Sequence, residues 1–173
     1  MDIRLIIASH DDAETVAEIG RTTFYESWRH MNTEEDMQLY MKDAFAFEKI
    51  KSDISNKQVN LFLLAQRENE SIGYAKMRRV RPYDEFKGEK AIEIERIYVR
   101  KVYQKKKVGK LLMDKCIELA KSENSQWLWL GVNEDNAGAI SFYKKYGFEI
   151  FGNKMFKLGE AEDNDYLMKL KLI

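Results

Sequence analysis

Between Ala91 and Phe148 the chain runs strand, basic turn, helix, strand, helix: AIEIERIYV, then YQKKKVGKLL opening a helix, then the apolar strand WLWLGV, then NAGAISFYKKYGF. A strand that reaches the next one through an intervening helix pairs with it in parallel, because a tight turn returns the chain antiparallel. Upstream, VNLFLLAQ and SIGYAKMRR are strand-like runs joined by the polar turn Arg67–Glu70, which predicts a hairpin and so an antiparallel pair. Together these two constraints require a mixed sheet with helices packed on it.

The remaining elements follow from periodicity. Ile3, Leu5 and Ile7 alternate, so residues 2–8 read as a strand. Val16, Ile19, Gly20 and Phe24 share a helical stripe over 11–27. Thr33 with Asp36 resembles a capping box that opens a helix over 34–44 carrying Met37, Tyr40, Met41 and Phe45, and a short helix follows at 47–55. Val108, Leu112, Cys116 and Leu119 form a stripe over 108–122; a helix is expected at 137–146 and two strands near 148–156 and 165–171. The order β, helices, β-β-β, α, β, α, β-β gives an α/β fold with about seven strands.

A length of 173 residues suits one domain spanning 1–173. Lys plus Arg and Asp plus Glu are both 29, which removes bulk attraction to nucleic acid, and no helix-turn-helix pattern is present. The single cysteine, Cys116, excludes an internal disulfide and a cysteine zinc cluster; no other spacing predicts a metal site. The opening MDIRLIIASHDD is too acidic for a signal peptide, and no apolar run approaches the roughly 20 residues of a membrane span. The expectation is a cytoplasmic domain away from membranes. Pro82, within VRPYDEFKGEK, marks a long exposed loop.

The element order and the pattern NxxAxxFYxKxGF resemble the GCN5-related N-acetyltransferase (GNAT) family over nearly the whole chain. Within that family, TFYESWRHMNTEEDMQLYMKDAF, IEIERIYV, WLWLGVNEDNAGAISFYKKYGF and FKLGEAEDNDYLMKLKL are most similar to the bacterial PaiA-type spermidine/spermine N-acetyltransferases. The resemblance implies a GNAT fold splayed between the fourth and fifth strands, with acetyl-CoA as co-substrate.

It also implies roles for particular residues. The turn Gln104, Lys105, Lys106, Lys107, Val108, Gly109 and Lys110 would wrap the pyrophosphate at a helix N-terminus, whose free N–H groups and dipole attract phosphate. Gln104 and Gly109 match the family pattern, but Lys107 stands where a glycine is usual. Lysine favours negative φ, so a tighter or differently curved loop is expected. Main-chain groups at Ile97, Tyr98 and Val99 would pair with the thioester and pantetheine, and Asn136 would hold the pantetheine arm. Tyr143 matches the phenol that protonates the departing thiolate; a neutral group with pKa near ~10 suits that task. Phe142 and Phe148 read as packing, Lys144 and Lys145 as solvent-facing.

Glu95 matches the carboxylate beside the acceptor amine, with Glu93 as a weaker candidate; each could instead simply pair with a lysine or arginine. In a regular strand Glu93, Glu95, Ile97 and Val99 share one face, and Ile94, Arg96 and Tyr98 the other. The acids Glu160, Glu162, Asp163 and Asp165 between the last strands, and Glu34, Glu35 and Asp36 at a helix start, would favour a polyamine, or else form a hydrophilic hairpin and a dipole-stabilised helix end. Asn133 departs from the aromatic usual in PaiA-type relatives. Cys116 reads as core, which leaves direct attack by the amine in a ternary complex. The alternatives are another small amine or a protein N-terminus as acceptor, or a non-catalytic acyl-CoA-binding regulator. Edge strands near the C-terminus leave room for a homodimer.

Overall fold

The computed structural model describes residues 2–79, 83–159 and 161–173. The elements are β1 (Arg4–Ile7), α1 (Ala13–Trp28), α2 (Glu34–Ala44), α3 (Phe47–Ser55), β2 (Asn60–Arg67), β3 (Glu70–Arg78), β4 (Ala91–Val99), α4 (Val108–Ser122), β5 (Trp127–Asn133), α5 (Ala137–Lys145), β6 (Glu149–Leu158) and β7 (Ala161–Lys171). They form a seven-stranded sheet in the order β1-β2-β3-β4-β5-β7-β6. The pair β4–β5 is parallel, as its helical crossover requires, and the other neighbours are antiparallel.

Helices cover both faces. On one, Leu112, Met113 and Cys116 of α4 pack with Tyr143 of α5 against Ile92, Ile94, Leu128 and Leu130. On the other, Val16 and Ile19 of α1 and Ile50 of α3 pack against Phe62, Leu64 and Tyr74. The α2 stripe, Met37 and Met41, joins Phe24, Phe45 and Leu158 in a smaller cluster beside the second face. Gly20 makes that join possible: a Cβ there would lie 2.5 Å from the Phe45 ring. The Thr33 hydroxyl accepts from the Asp36 amide at 3.2 Å and donates to its carboxylate at 2.9 Å, fixing the start of α2 as the capping pattern predicts.

Two local features shape the middle of the sheet. The β4–β5 ladder runs from Ala91↔Trp127 to Ile94↔Leu130 and then stops, so the strands part as expected. At that point β4 carries a bulge: Lys76 faces Arg96 and Met77 faces Ile94, leaving Glu95 as the extra residue. The bulge overturns the regular alternation read from sequence. Ile92, Ile94, Ile97 and Val99 all pack on the α4 side, whereas Glu95, Arg96 and Tyr98 turn toward the side of α1 and α2.

Two more expectations need correction. The acidic segment before the last strand is not a loop, because β7 begins at Ala161. Asp163 pairs with Phe156 and Asp165 with Lys154 across the β6–β7 hairpin, and Glu162 forms a 2.6 Å ion pair with Lys157. These cross-strand lysines offset the poor strand propensity of the acids. The segment around Pro82 is only partly an exposed loop. Pro82 itself lies outside the described residues, but Asp84–Phe86 forms a short 3₁₀ turn and Phe86 is buried against Ala91, Trp129 and Leu167.

Candidate active site

Where β4 and β5 part, they open a cleft of about 440 Å³. Its walls bring together most of the residues picked out in the sequence: Glu93, Glu95, Ile97, Tyr98 and Val99 from β4, Gln104, Asn133, Asn136 and Tyr143, and Asp165 from β7. Beyond Ile94 the edge of β4 that faces β5 has no strand partner, so its main-chain groups are free to bind an extended chain.

Tyr143 is 7% exposed and packs against Phe148 and Phe142, with ring centroids 5.9 and 5.5 Å away. Its hydroxyl makes no side-chain hydrogen bond among the described residues, and the side chain lines the cleft. Burial raises its pKa well above the usual phenol range, so it stays protonated. Asn136 caps α5: its Oδ1 accepts from the Ala139 amide at 3.1 Å, which leaves the Nδ2 donor uncommitted at the rim. Cys116 lies fully buried behind Tyr143, and burial pushes its thiol up to about 12.

The basic turn keeps a glycine-like backbone without the glycine. Lys107 is the N-cap of α4 with φ 67°, and Lys105 has φ 61°; both are left-handed, so the expected avoidance of this conformation does not occur. Gln104 Nε2 donates to the Val99 carbonyl at 3.2 Å, tying the turn to the end of β4. The amides of Val108, Gly109 and Lys110 occupy the first turn of α4, where no helical acceptor exists. A phosphate-bearing chain entering along β4 would meet these donors.

The wall of the cleft toward β3 carries a chain of buried and half-buried charges. Arg78 donates twice to Glu93 Oε2, at 2.9 and 2.7 Å. Lys76 Nζ lies 2.7 Å from Asp53 Oδ2 and 2.8 Å from Glu95 Oε2, the latter a charge contact without hydrogen-bond geometry. Arg78 and Arg96 approach Glu95 to 3.6 and 3.8 Å. Burial alone would raise the pKa of Glu95, but Lys76, Arg96 and Arg78 together outweigh it and hold the carboxyl below its usual range. For Glu93 burial wins over Arg78, and its pKa is raised. Asp165 is also raised by burial, against the pull of Lys154.

Glu34 does not line this cleft. Its carboxylate accepts from the Tyr25 hydroxyl at 2.8 Å and from Gln38 at 2.7 Å on a separate surface groove. The helix start that carries it turns its acids to solvent, and Asp36 packs against Gly159 instead. Conversely, Phe24, Trp28 and Asn32, with Tyr40 from α2, form a wall that sequence reasoning did not assign. The visible signal was Thr23 and Ser27 flanking Phe24 within an apolar helical stripe. Both hydroxyls bond back to the helix, that of buried Thr23 to the Ile19 carbonyl and that of Ser27 to the Thr23 carbonyl.

The family model for the acetyltransferase (GNAT) family matches residues 16–148. The chain belongs to that family; it is an N-acetyltransferase and binds acetyl-CoA. It is 29% identical over 171 residues to an uncharacterized N-acetyltransferase of Lactobacillus delbrueckii subsp. lactis, covering 99% of this chain and 98% of the other. It is 26% identical over 174 residues to the spermidine N(1)-acetyltransferase of Thermoplasma acidophilum, again covering 99% and 98%. Among solved structures, the PaiA N-acetyltransferase of Thermoplasma acidophilum in complex with coenzyme A superposes with a TM-score of 0.83 at 25% identity, covering 99% of each chain. No helix among the described residues is long and apolar enough to cross a membrane.

Proposed function

We propose that the chain moves the acetyl group of acetyl-CoA to a primary amine of a polyamine such as spermidine or spermine, by direct attack in a ternary complex in the cytoplasm. One observation carries this reading: Tyr143 and Glu95 line a single cleft, with the unpartnered edge of β4 between them. The amine nitrogen attacks the thioester carbonyl, the carbon–sulfur bond breaks, the leaving sulfur takes the Tyr143 hydroxyl proton, and the proton the nitrogen sheds as the amide forms restores the Tyr143 hydroxyl through water. Glu95, held below the usual carboxylate range, attracts the acceptor ammonium and passes its proton through water to solvent before attack. Gln104 to Lys110 and Asn136 hold the pyrophosphate and pantetheine, and Ile97 to Val99 orient the thioester. Glu93 acts through Arg78 rather than on the amine.

The polyamine assignment is supported by Asp163 and Asp165 on the far wall, by the aromatic pair Phe24–Tyr40 with centroids 4.6 Å apart, and by the spermidine acetyltransferase relative. Spaced carboxylates next to apolar rings match spaced ammonium groups on methylene chains. The test is release of free thiol from acetyl-CoA with spermidine, spermine, single amines, amino acids and a peptide. Turnover of polyamines well above the monoamines is the expected result. Preference for the peptide would replace the acceptor and leave the acetyl-transfer chemistry standing.

A further inference from the structure

We propose that Lys76 is a positioning residue for acetyl transfer: its buried ammonium, anchored by Asp53, holds the Glu95 carboxylate ionised at the acceptor wall. The inference rests on the reading of Glu95 given above and adds a residue that does not itself line the cleft.

Lys76 lies on β3 directly opposite Arg96, with its side chain only 5% exposed and its Nζ 5.5 Å from the centre of the Phe62 ring. It follows Tyr74 on the same face of the strand, a position that otherwise faces the apolar packing of α1 and α3. Burying an ammonium there is costly unless it is paired, and two carboxylates from different elements converge on it, Asp53 from α3 at 2.7 Å and Glu95 from β4 at 2.8 Å. The β4 bulge makes the second contact possible by turning Glu95 and Arg96 to the same side. A fold needing only packing at residue 76 would be served by an apolar side chain. The lysine instead places a fixed positive charge behind the one carboxylate that meets the amine.

The groups facing Glu95 are Lys76 and Arg78 on β3, Glu93, Arg96 and Tyr98 on β4, with Asp53, Tyr40 and Tyr74 around them. Three cations oppose three carboxylates, so neutralising Lys76 leaves an excess of negative charge and favours protonation of Glu95. Removing Asp53 does the reverse, leaving Lys76 wholly to Glu95.

The experiment measures kcat against pH at saturating acetyl-CoA and spermidine for the wild type, Lys76→Met, Lys76→Gln, Lys76→Arg and Glu95→Gln. Each profile is divided by the wild-type profile, so that ionisation of the acceptor cancels. An opposite charge within hydrogen-bonding distance is worth roughly 1–3 pH units to a carboxylate. Lys76→Met and Lys76→Gln should therefore gain an acid limb at least ~1 unit above any in the wild type. Lys76→Arg should follow the wild type. A folded, active neutral variant whose ratio stays flat overturns the proposal. If neither neutral variant folds, the Glu95 carboxyl is titrated by carbon NMR in the wild type and Asp53→Asn. A shift to lower pH in Asp53→Asn supports the proposal, and no shift overturns it. Full activity in Glu95→Gln would instead remove the reading of Glu95 on which the inference rests, whereas loss in Glu95→Gln with a flat Lys76→Met ratio removes Lys76 alone.

Discussion

Ile94 and Leu130 form the last rung of the β4–β5 ladder, and the functional half of the molecule begins one residue beyond them. Up to that rung the two strands pair over the core on α4; past it, β4 bulges at Glu95 while β5 runs on to Asn133 paired only with β7. The same sheet thus provides a rigid floor and an open edge, and Tyr143 from α5 stands beside the opening.

Tyr143→Phe should separate chemistry from stability. The hydroxyl has no partner to orphan among the described residues, so the ring swap should change folding stability by less than ~0.5 kcal/mol. Loss of a general acid should lower kcat on the order of 10²-fold, with little change in the acetyl-CoA dissociation constant. Thermal melts, calorimetry and steady-state rates check the three outcomes together; unchanged kcat would take the role of acid away from Tyr143.

Lys107→Gly tests whether main chain or side chain grips the phosphates. A lysine at φ 67° carries strain of about 1 kcal/mol, partly offset by the entropy a glycine loses on folding. The variant should be as stable as the wild type or slightly more so. Of the neighbouring lysines, Lys106 lies 5.4 Å over the Tyr103 ring and Lys110 pairs with Asp114 at 2.5 Å, so Lys107 is not the sole charge at the turn. Acetyl-CoA affinity should fall only a few fold, with a shallower dependence on salt. A loss of 100-fold or more in calorimetry would mean that the lysine charge, rather than the amides, holds the pyrophosphate.

Most of the fold could be read in advance because its signals are local. The α4 stripe, the Thr33 cap and the strand–helix–strand crossover are set by spacing along the chain, and the ends of α2, α3, β4 and α4 fall where periodicity places them. The bulge at Glu95 could not be read, since it depends on how β3 pairs, and it reverses the face of every residue after it. The acids of β7 looked like a loop because strand propensity ignores the lysines facing them across the hairpin. In the site, donor-side residues were legible as a motif in one continuous stretch. Glu34 was misplaced and Lys76 missed because the acceptor wall is assembled from α1, α2, β3 and β7, and composition does not say which way a surface acid turns.

Arg79 and Glu123 offer a pH test of the scaffold. Arg79 Nε donates to Glu123 Oε2 at 2.7 Å, and Lys90 Nζ donates to the Glu123 carbonyl, so the end of β3 is tied to the C-terminus of α4. The Arg79 hydrogen bonds lower the pKa of Glu123 against the effect of burial. Its folded value therefore lies below the unfolded one of ~4.3, and the stabilisation is complete above that pH and lost as pH falls through the folded value. Glu123→Gln should cost about 1–2 kcal/mol at pH 7, a figure discounted for partial exposure. The difference from wild type should vanish in urea melts run in strong acid.

Neutralising Asp163 and Asp165 tests whether the cleft reads a polycation. Both line the cleft, and Asp165 sits across the hairpin from Lys154, which shares its charge. Neutralising either to asparagine should raise KM for spermidine about tenfold, the loss of one partly screened charge-assisted hydrogen bond, with kcat nearly unchanged because neither meets the reacting amine. KM for a monoamine should not move, since it has no second ammonium to lose. Burial raises the pKa of Asp165, so spermidine KM should begin to climb on acidification at a higher pH than an ordinary aspartate of ~3.9 would dictate, and Asp165→Asn should flatten that climb. Equal KM changes for spermidine and a monoamine would show that these acids shape the pocket rather than count the charges of its occupant.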